Sequence, residues 1–493
     1  NAYPAAAEYL DGFDNNCDGV IDERLLGEVA AGLLAPVTSG SDGSGRLGDS
    51  ISAGGDFDGD GLADFAVGVP LYGGTAGRVH LFLGTSYSAE QAPTDLGSFA
   101  TVTGEVAGDY LGYSVALADV GGPTGAGGAA FDDLIIGAPQ NGVNFPDTPK
   151  GHIYVFFGGP FVSSGDWSAE SADLIIAGSF STEHCGTATA GLGDVNGDGI
   201  GDLGFTCPWY DTGAGTLRGR TVLFLGRSSW ASNYGSGQAD SSWLGDADEQ
   251  YSGHALVGNF DFNGDGFADF AVGSPHWSSD TGRVTIRLGS SSGWARDQML
   301  ANLDLVYEGI AGAAQTLGAG LAAGDADADG FDDLLVGAPC TTGCPGGLGL
   351  VLGEASPSGG SFADRAALSV VGAAASNEAV GRAMALMDLD GDGDTDLLVG
   401  GPGHDGSEGG DQGRLSVLYG PLPLAGEILT AGVDFVDQVV GEAEGDALGR
   451  AMSVVPDYNG DGRPELVLSA PFNDGTGPNA GRLYYLSAFA GVP

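Results

Sequence analysis

Positive charge is what this 493-residue chain has least of: 16 Lys and Arg stand against 66 Asp and Glu, and lysine occurs once, at Lys150. A formal net charge of −50 repels phosphate backbones and anionic headgroups, which argues against nucleic acid and membrane surfaces as partners. No run of 18 apolar residues is present, so no membrane span is expected. The chain opens on Asn1 with no charged-then-apolar leader, which suggests a processed chain or a fragment. HExxH, GxSxG and paired His–Cys arrangements are missing. The six histidines (His80, His152, His184, His254, His276, His404) stand singly and read as rim or core residues. Carboxylate pairs abound but are committed to loops, so no glycosidase dyad can be picked out. The expectation is binding rather than catalysis.

Cysteine is sparse too, at five residues. Cys185 with Cys207, and Cys340 with Cys344, are spaced for disulfides in an oxidising compartment; thiolate metal binding is the rival reading, and Cys17 has no evident partner. Against these shortages stand 92 glycines and an apolar content of 42 %, enough for many tight turns and a sizeable core.

One segment recurs seven times: residues 56–70 (DFDGDGLADFAVGVP), 119–139, 194–208, 261–275, 325–339, 388–402 and 457–471. The starts lie 63, 75, 67, 64, 63 and 69 residues apart, a period that fits four short strands with their turns. Within each unit a strand of small residues (SVALA, 114–118) leads. A continuously apolar one (LII, 134–136), a third (VHLFL, 79–83) and a more polar fourth follow. In a radial array the innermost strand crowds the axis, the middle strands are covered on both faces, and the outermost is half exposed. The fold class expected is all-β: a seven-bladed β-propeller of four-stranded antiparallel blades. Only seven residues follow the last third strand, so the segment 31–37 (AGLLAPV) is expected to supply the outer strand of blade 7 and close the ring. Residues 1–28 read as an acidic motif and linker, and 29–493 as the propeller.

Six units carry D-x-[DN]-x-D-G-x-x-[DE] between the first two strands. The oxygens come from Asp56, Asp58, Asp60 and Asp64; Asp194, Asn196, Asp198 and Asp202; Asp261, Asn263, Asp265 and Asp269. The other three sets are Asp325, Asp327, Asp329 and Asp333; Asp388, Asp390, Asp392 and Asp396; Asp457, Asn459, Asp461 and Glu465. Oxygen-only ligands at positions 1, 3, 5 and 9 of a tight turn suit Ca2+ better than the stricter octahedron of Mg2+. An ion-free Asp/Asn/Gly turn is the bland alternative. Six ions would take the net charge from −50 to −38. The second unit keeps Asp119, Asp132 and Asp133 around a Gly/Ala-rich insertion, and no ion is expected there. Residues 11–23 repeat the spacing outside the register with Asp14, Asn16, Asp18 and Asp22, reading either as one more calcium loop or as a disordered acidic tail.

The repeat, with its Leu-Gly before the first strand (Leu111-Gly112, Leu448-Gly449), its acidic loop and its Gly-Ala-Pro ending (residues 137–139 and 337–339), resembles the FG-GAP repeat of integrin α-subunit propellers. Residues 11–23 look like an Asp/Asn/Cys-rich metal-binding motif of bacterial secreted and surface proteins. The resemblance implies calcium loops on one face and ligand-binding loops on the other. Aromatic residues just after the Pro of several units, Tyr72, Trp209, Tyr210, His276 and Trp277, with Phe145 from unit 2, are the candidate contacts for a protein or glycan. An extracellular or cell-surface adhesion or scaffold module is the function implied. A lectin, or the non-catalytic propeller of a secreted hydrolase or lyase, is the alternative.

Overall fold

The computed structural model describes residues 27–30, 35–39 and 44–487, apart from 86–97, 123–130, 141–149, 161, 212–216, 247–250, 311–315, 340–344, 374–377, 407–408, 432–433, 436 and 476. Seven sheets form seven blades. Blade 1 is typical: Ser50–Gly55, Asp64–Val69, Arg78–Phe82 and Ala100–Thr103 run antiparallel from the axis outward. The innermost strand of each blade touches those of its two neighbours, and Ser50–Gly55 meets Met452–Val455 of blade 7, so the ring is closed. These strands line an axial cavity of about 710 Å³, with Ile51, Val115, Thr189, Leu256, Leu321, Met384 and Met452 on its wall.

The second strands lose the period-2 pattern for the anticipated reason: Asp64–Val69, Asp133–Ala138 and Asp269–Ser274 are buried at every residue. The hydrophobic core is split into seven clusters, each shared by two consecutive blades. The last of these joins Phe65 and Val67 of blade 1 to Val467, Leu483 and Tyr485 of blade 7. Glycine is demanded where blades meet most closely. A Cβ on Gly337 of blade 5 would lie 1.7 Å from the carbonyl oxygen of Gly381 in blade 6, and one on Gly273 of blade 4 would lie 1.9 Å from that of Gly318.

Blade 7 takes its outer strand from the N-terminal side of the chain: Ala35–Ser39 pairs antiparallel with Arg482–Ser487. The strand starts four residues later than the apolar run suggested; residues 31–34 lie outside the described residues. Among the described residues, six blades depart from the four-stranded expectation by carrying a fifth strand, parallel to the fourth. It comes from the next repeat, between that repeat's third and fourth strands: Gly165–Ser168 adds to blade 1, Asn233–Gly235 to blade 2 and Glu427–Thr430 to blade 5. Gly27–Ala30 does the same for blade 6 before the chain enters blade 7. Repeats 2 to 7 thus each clasp the preceding blade, and the N-terminal segment supplies both the clasp and the closing strand of the last repeat.

Candidate metal centres and the opposite face

Six acidic loops share one backbone frame. In blade 1, Asp56 Oδ1 accepts from the amides of Gly59 (2.8 Å) and Asp60 (3.1 Å), and Oδ2 from Gly61 (3.0 Å). Asp58 Oδ1 accepts from the Asp60 amide, and Asp60 Oδ1 from the Leu62 amide. The first-position carboxylate therefore folds the turn around itself. The chain reverses at Gly59 and Gly61, whose φ values of 76° and 91° favour glycine. Asp194, Asp261, Asp388 and Asp457 hold their turns in the same way.

Three loops bring positions 1, 3 and 9 together, with ligand atoms all within 4.8 Å: Asp56, Asp58 and Asp64; Asp325, Asp327 and Asp333; Asp388, Asp390 and Asp396. Asp60, Asp329 and Asp392 lie outside these clusters, each holding the amide two residues on. In the loops of blades 3, 4 and 7 the third position is an amide side chain. Asn196, Asn263 and Asn459 donate to Asp198, Asp265 and Asp461. Asp14, Asn16, Asp18 and Asp22 fall outside the described residues.

The ninth position has a second task that its sequence spacing does not reveal. Asp64 is fully buried and accepts from Phe57 N within the loop and from Gly84 N after the third strand. Asp202, Asp269, Asp333 and Asp396 make the same pair of bonds, as does Asp133 in the irregular blade 2, all at 2.6–3.0 Å. This carboxylate staples the loop to the end of the third strand, with or without the rest of the motif. Burial first, and the neighbouring loop carboxylates after it, push Asp64, Asp202, Asp269 and Asp333 up to about 7 and Glu465 to about 8.

The donor set fits a hard divalent cation. All ligand atoms are oxygens, and Asp325 Oδ1 is buried with no hydrogen-bond donor among the described residues. Three carboxylates at such separations repel by on the order of 3 kcal/mol per charged pair at an effective dielectric of 20. A bound cation would supply the counter-charge that the loop lacks, while the lone pairs left by the amide bonds remain able to ligate. A further grouping, Glu183 with Cys185 and Cys207, is not a thiolate site, because Cys185 and Cys207 form a disulfide. Cys340 and Cys344 lie outside the described residues.

On the other face, the candidate aromatic residues divide into two groups. Tyr72, Tyr210 and Trp277 lie over the arginines that begin the third strands: Arg78 at 3.5 Å, Arg220 at 5.2 Å and Arg283 at 5.1 Å from the ring centroids. These rings brace their own blades. Trp209, by contrast, is 44 % exposed and begins a string of rings across blades 3 and 4. It meets His184 at 4.2 Å and Tyr251 at 6.2 Å; Tyr251 meets His276, and His276 meets His254 at 5.2 Å. Phe180, 57 % exposed, packs edge-on against Tyr210 at 6.0 Å. His184, His254 and Tyr251 were not legible as site residues, because they stand on separate repeats and meet only in the folded ring. Phe145 lies outside the described residues.

The FG-GAP repeat family matches residues 47–82, 253–286, 380–418 and 448–486, which run from the Xaa-Gly turn to the third strand of blades 1, 4, 6 and 7. Integrin alpha-PS2 of Drosophila melanogaster is 32 % identical over 262 residues, covering 51 % of this chain and 17 % of its own length. Integrin alpha-V of Gallus gallus is 30 % identical over 231 residues, 46 % of this chain and 20 % of its own. The chain thus spans about a fifth of the length of the curated relatives it matches. Among solved structures, Sqt1 from Chaetomium thermophilum overlaps 93 % of the chain and 86 % of its own with a TM-score of 0.45 at 11 % identity. Four FG-GAP repeats, likeness to integrin α subunits and a ring of seven blades together support an integrin-α-like FG-GAP propeller.

Proposed function

We propose that this FG-GAP propeller is an extracellular binding module, held in shape by about six Ca2+ ions in its acidic loops, that recognises a protein ligand through the opposite face. The observation that carries the reading is the string Trp209, His184, Tyr251, His276 and His254, which spans two blades on that face and begins at the exposed Trp209. Exposed aromatic surface of this kind concentrates binding energy in few residues. Tyr72, Tyr210 and Trp277 serve as braces that hold the loops carrying the contact residues. The disulfide between Cys185 and Cys207 fits an oxidising, extracellular setting. No helix among the described residues is long and apolar enough to cross a membrane.

The test is capture of a partner from the native surroundings, with calcium and with chelator, by the wild-type chain and by Trp209→Ala/Tyr251→Ala. The reading expects the double variant to keep its unfolding midpoint and lose the partner. Equal capture by both chains would move the binding site elsewhere. Retention on a glycan array in place of protein capture would make the module a lectin.

A further inference from the structure

Seven residues, one per blade, follow the glycine that precedes each innermost strand. They include Asp49, Tyr113, His254, Arg382 and Arg450, which ring the end of the axis opposite the acidic loops. Their charges act on one another across the channel. Arg382 of blade 6 feels Arg450 of blade 7, Asp49 of blade 1 and Tyr113 of blade 2, and His254 of blade 4 feels Arg382. Each stands where the chain enters the innermost strand of its blade from the same end, so the five surround the axis there.

The arginines of this acidic chain are mostly engaged. Arg450 pairs with Asp49 at 2.8 Å, Arg414 with Glu378 at 2.9 Å, Arg227 with Asp240 and Arg287 with Asp304. Arg382 is exposed and has no ion pair or hydrogen bond among the described residues. On the next blade Arg450 adds like charge, and the carboxylate that acts on both, Asp49, is already bonded to Arg450. Crowding by the walls and then the Arg450 charge push Arg382 down from its ordinary value, while burial and nearby His276 and Arg382 hold His254 near 4 and neutral. An uncompensated guanidinium beside a second one, inside a molecule of charge −50, is a site for an anion rather than a packing element.

We propose that this end of the axis binds a carboxylate group of the ligand, with Arg382 as its bidentate partner, Arg450 as a second positive charge and the His254 ring at the rim. A single carboxylate is the fitting class: the field of the whole chain disfavours a polyanion, whereas one planar carboxylate matches the guanidinium fork. The aromatic string ends at His254, so an acidic side chain inserted here would belong to a ligand already lying on blades 3 and 4. In that sense the assignment rests on the reading that this face meets the ligand, but the site itself can be tested without one.

The probe is butyrate, titrated calorimetrically into the calcium-loaded full chain, with butyramide as neutral control and sulfate as an anion of other shape. Saturable butyrate binding is expected, with butyramide silent and sulfate weaker. Arg382→Gln, whose side chain holds nothing else in place, should keep the unfolding midpoint and weaken butyrate at least about tenfold. Ile428→Ala, at an exposed position on the outermost strand of blade 5, should bind butyrate as the wild type does. No saturation by butyrate, or equal affinity in Arg382→Gln, overturns the proposal. Butyrate binding that persists while partner capture fails would sink the docking reading of the face and leave the anion site standing.

Discussion

Removing residues 27–39 should unfold the ring. The segment supplies four residue pairs as the parallel clasp on blade 6, from Gly27 opposite Asp437 to Ala30 opposite Val440. It supplies four more as the closing strand on blade 7, from Ala35 opposite Tyr485 to Ser39 opposite Arg482. At roughly one backbone hydrogen bond per pair and about 1 kcal/mol for each, the loss is on the order of 8 kcal/mol. The entropy of ordering the segment offsets part of that, while the newly unpaired edge of the strand carrying Leu483 and Tyr485 adds to it. Even half the figure is a large share of the roughly 5–15 kcal/mol that holds a typical domain together. Calorimetry of the deletion should show loss of the cooperative transition or a midpoint lower by on the order of 10 °C. A variant lacking residues 1–26 only should melt like the full chain. If both truncations unfold at the same temperature, the closure argument is wrong.

Other substitutions separate the roles built into the acidic loops and blade contacts. In chelator, Asp58→Ala should be neutral or slightly stabilising, because it removes a like charge, whereas Asp64→Ala leaves the Phe57 and Gly84 amides without acceptors and should cost about 2–5 kcal/mol in urea unfolding. Gly337→Ala drives a methyl into the Gly381 carbonyl and should cost about 1–3 kcal/mol or more by the same assay; Gly61→Ala, which meets nothing within 4 Å, should pay only the backbone term of about 1 kcal/mol. Asp133, pushed up to about 8 by burial, binds its proton more tightly folded than unfolded. Its stabilising contribution is therefore full below about pH 4 and is lost as pH rises through about 8. Stability measured from pH 4 to 8 should accordingly shift in favour of Asp133→Asn over the wild type; a difference independent of pH would show that the carboxyl is not held neutral.

Much of this architecture is legible in the residues because each repeat restates it. Seven acidic or acidic-like turns followed by wholly apolar strands give the blade count and the strand order, and the surplus apolar segment near residue 35 points to the ring closure. The fifth strands were hidden because stretches such as GDWS at 165–168 or QM at 298–299 are short and polar, and their pairing partner lies in another repeat. The double duty of the ninth-position carboxylate was hidden for a different reason. Spacing marks it as a ligand, but only the folded loop shows the amide of Gly84, 20 residues away, pointing at its other oxygen. On the opposite face, sequence position gave every post-Pro ring the same standing. The arginine at the head of the third strand decides which ring is covered by a guanidinium and which stays exposed, as Trp277 and Trp209 illustrate.

The most direct test of a ring held by ions in its loops is a calcium count joined to a melting curve. Equilibrium dialysis of the chelator-stripped chain should recover about six Ca2+ per molecule, and reloading should raise the unfolding midpoint, since each ion at about 100 times its dissociation constant adds on the order of 2.7 kcal/mol. A chain that binds no calcium, or that binds it and melts at the same temperature with and without chelator, would contradict the account.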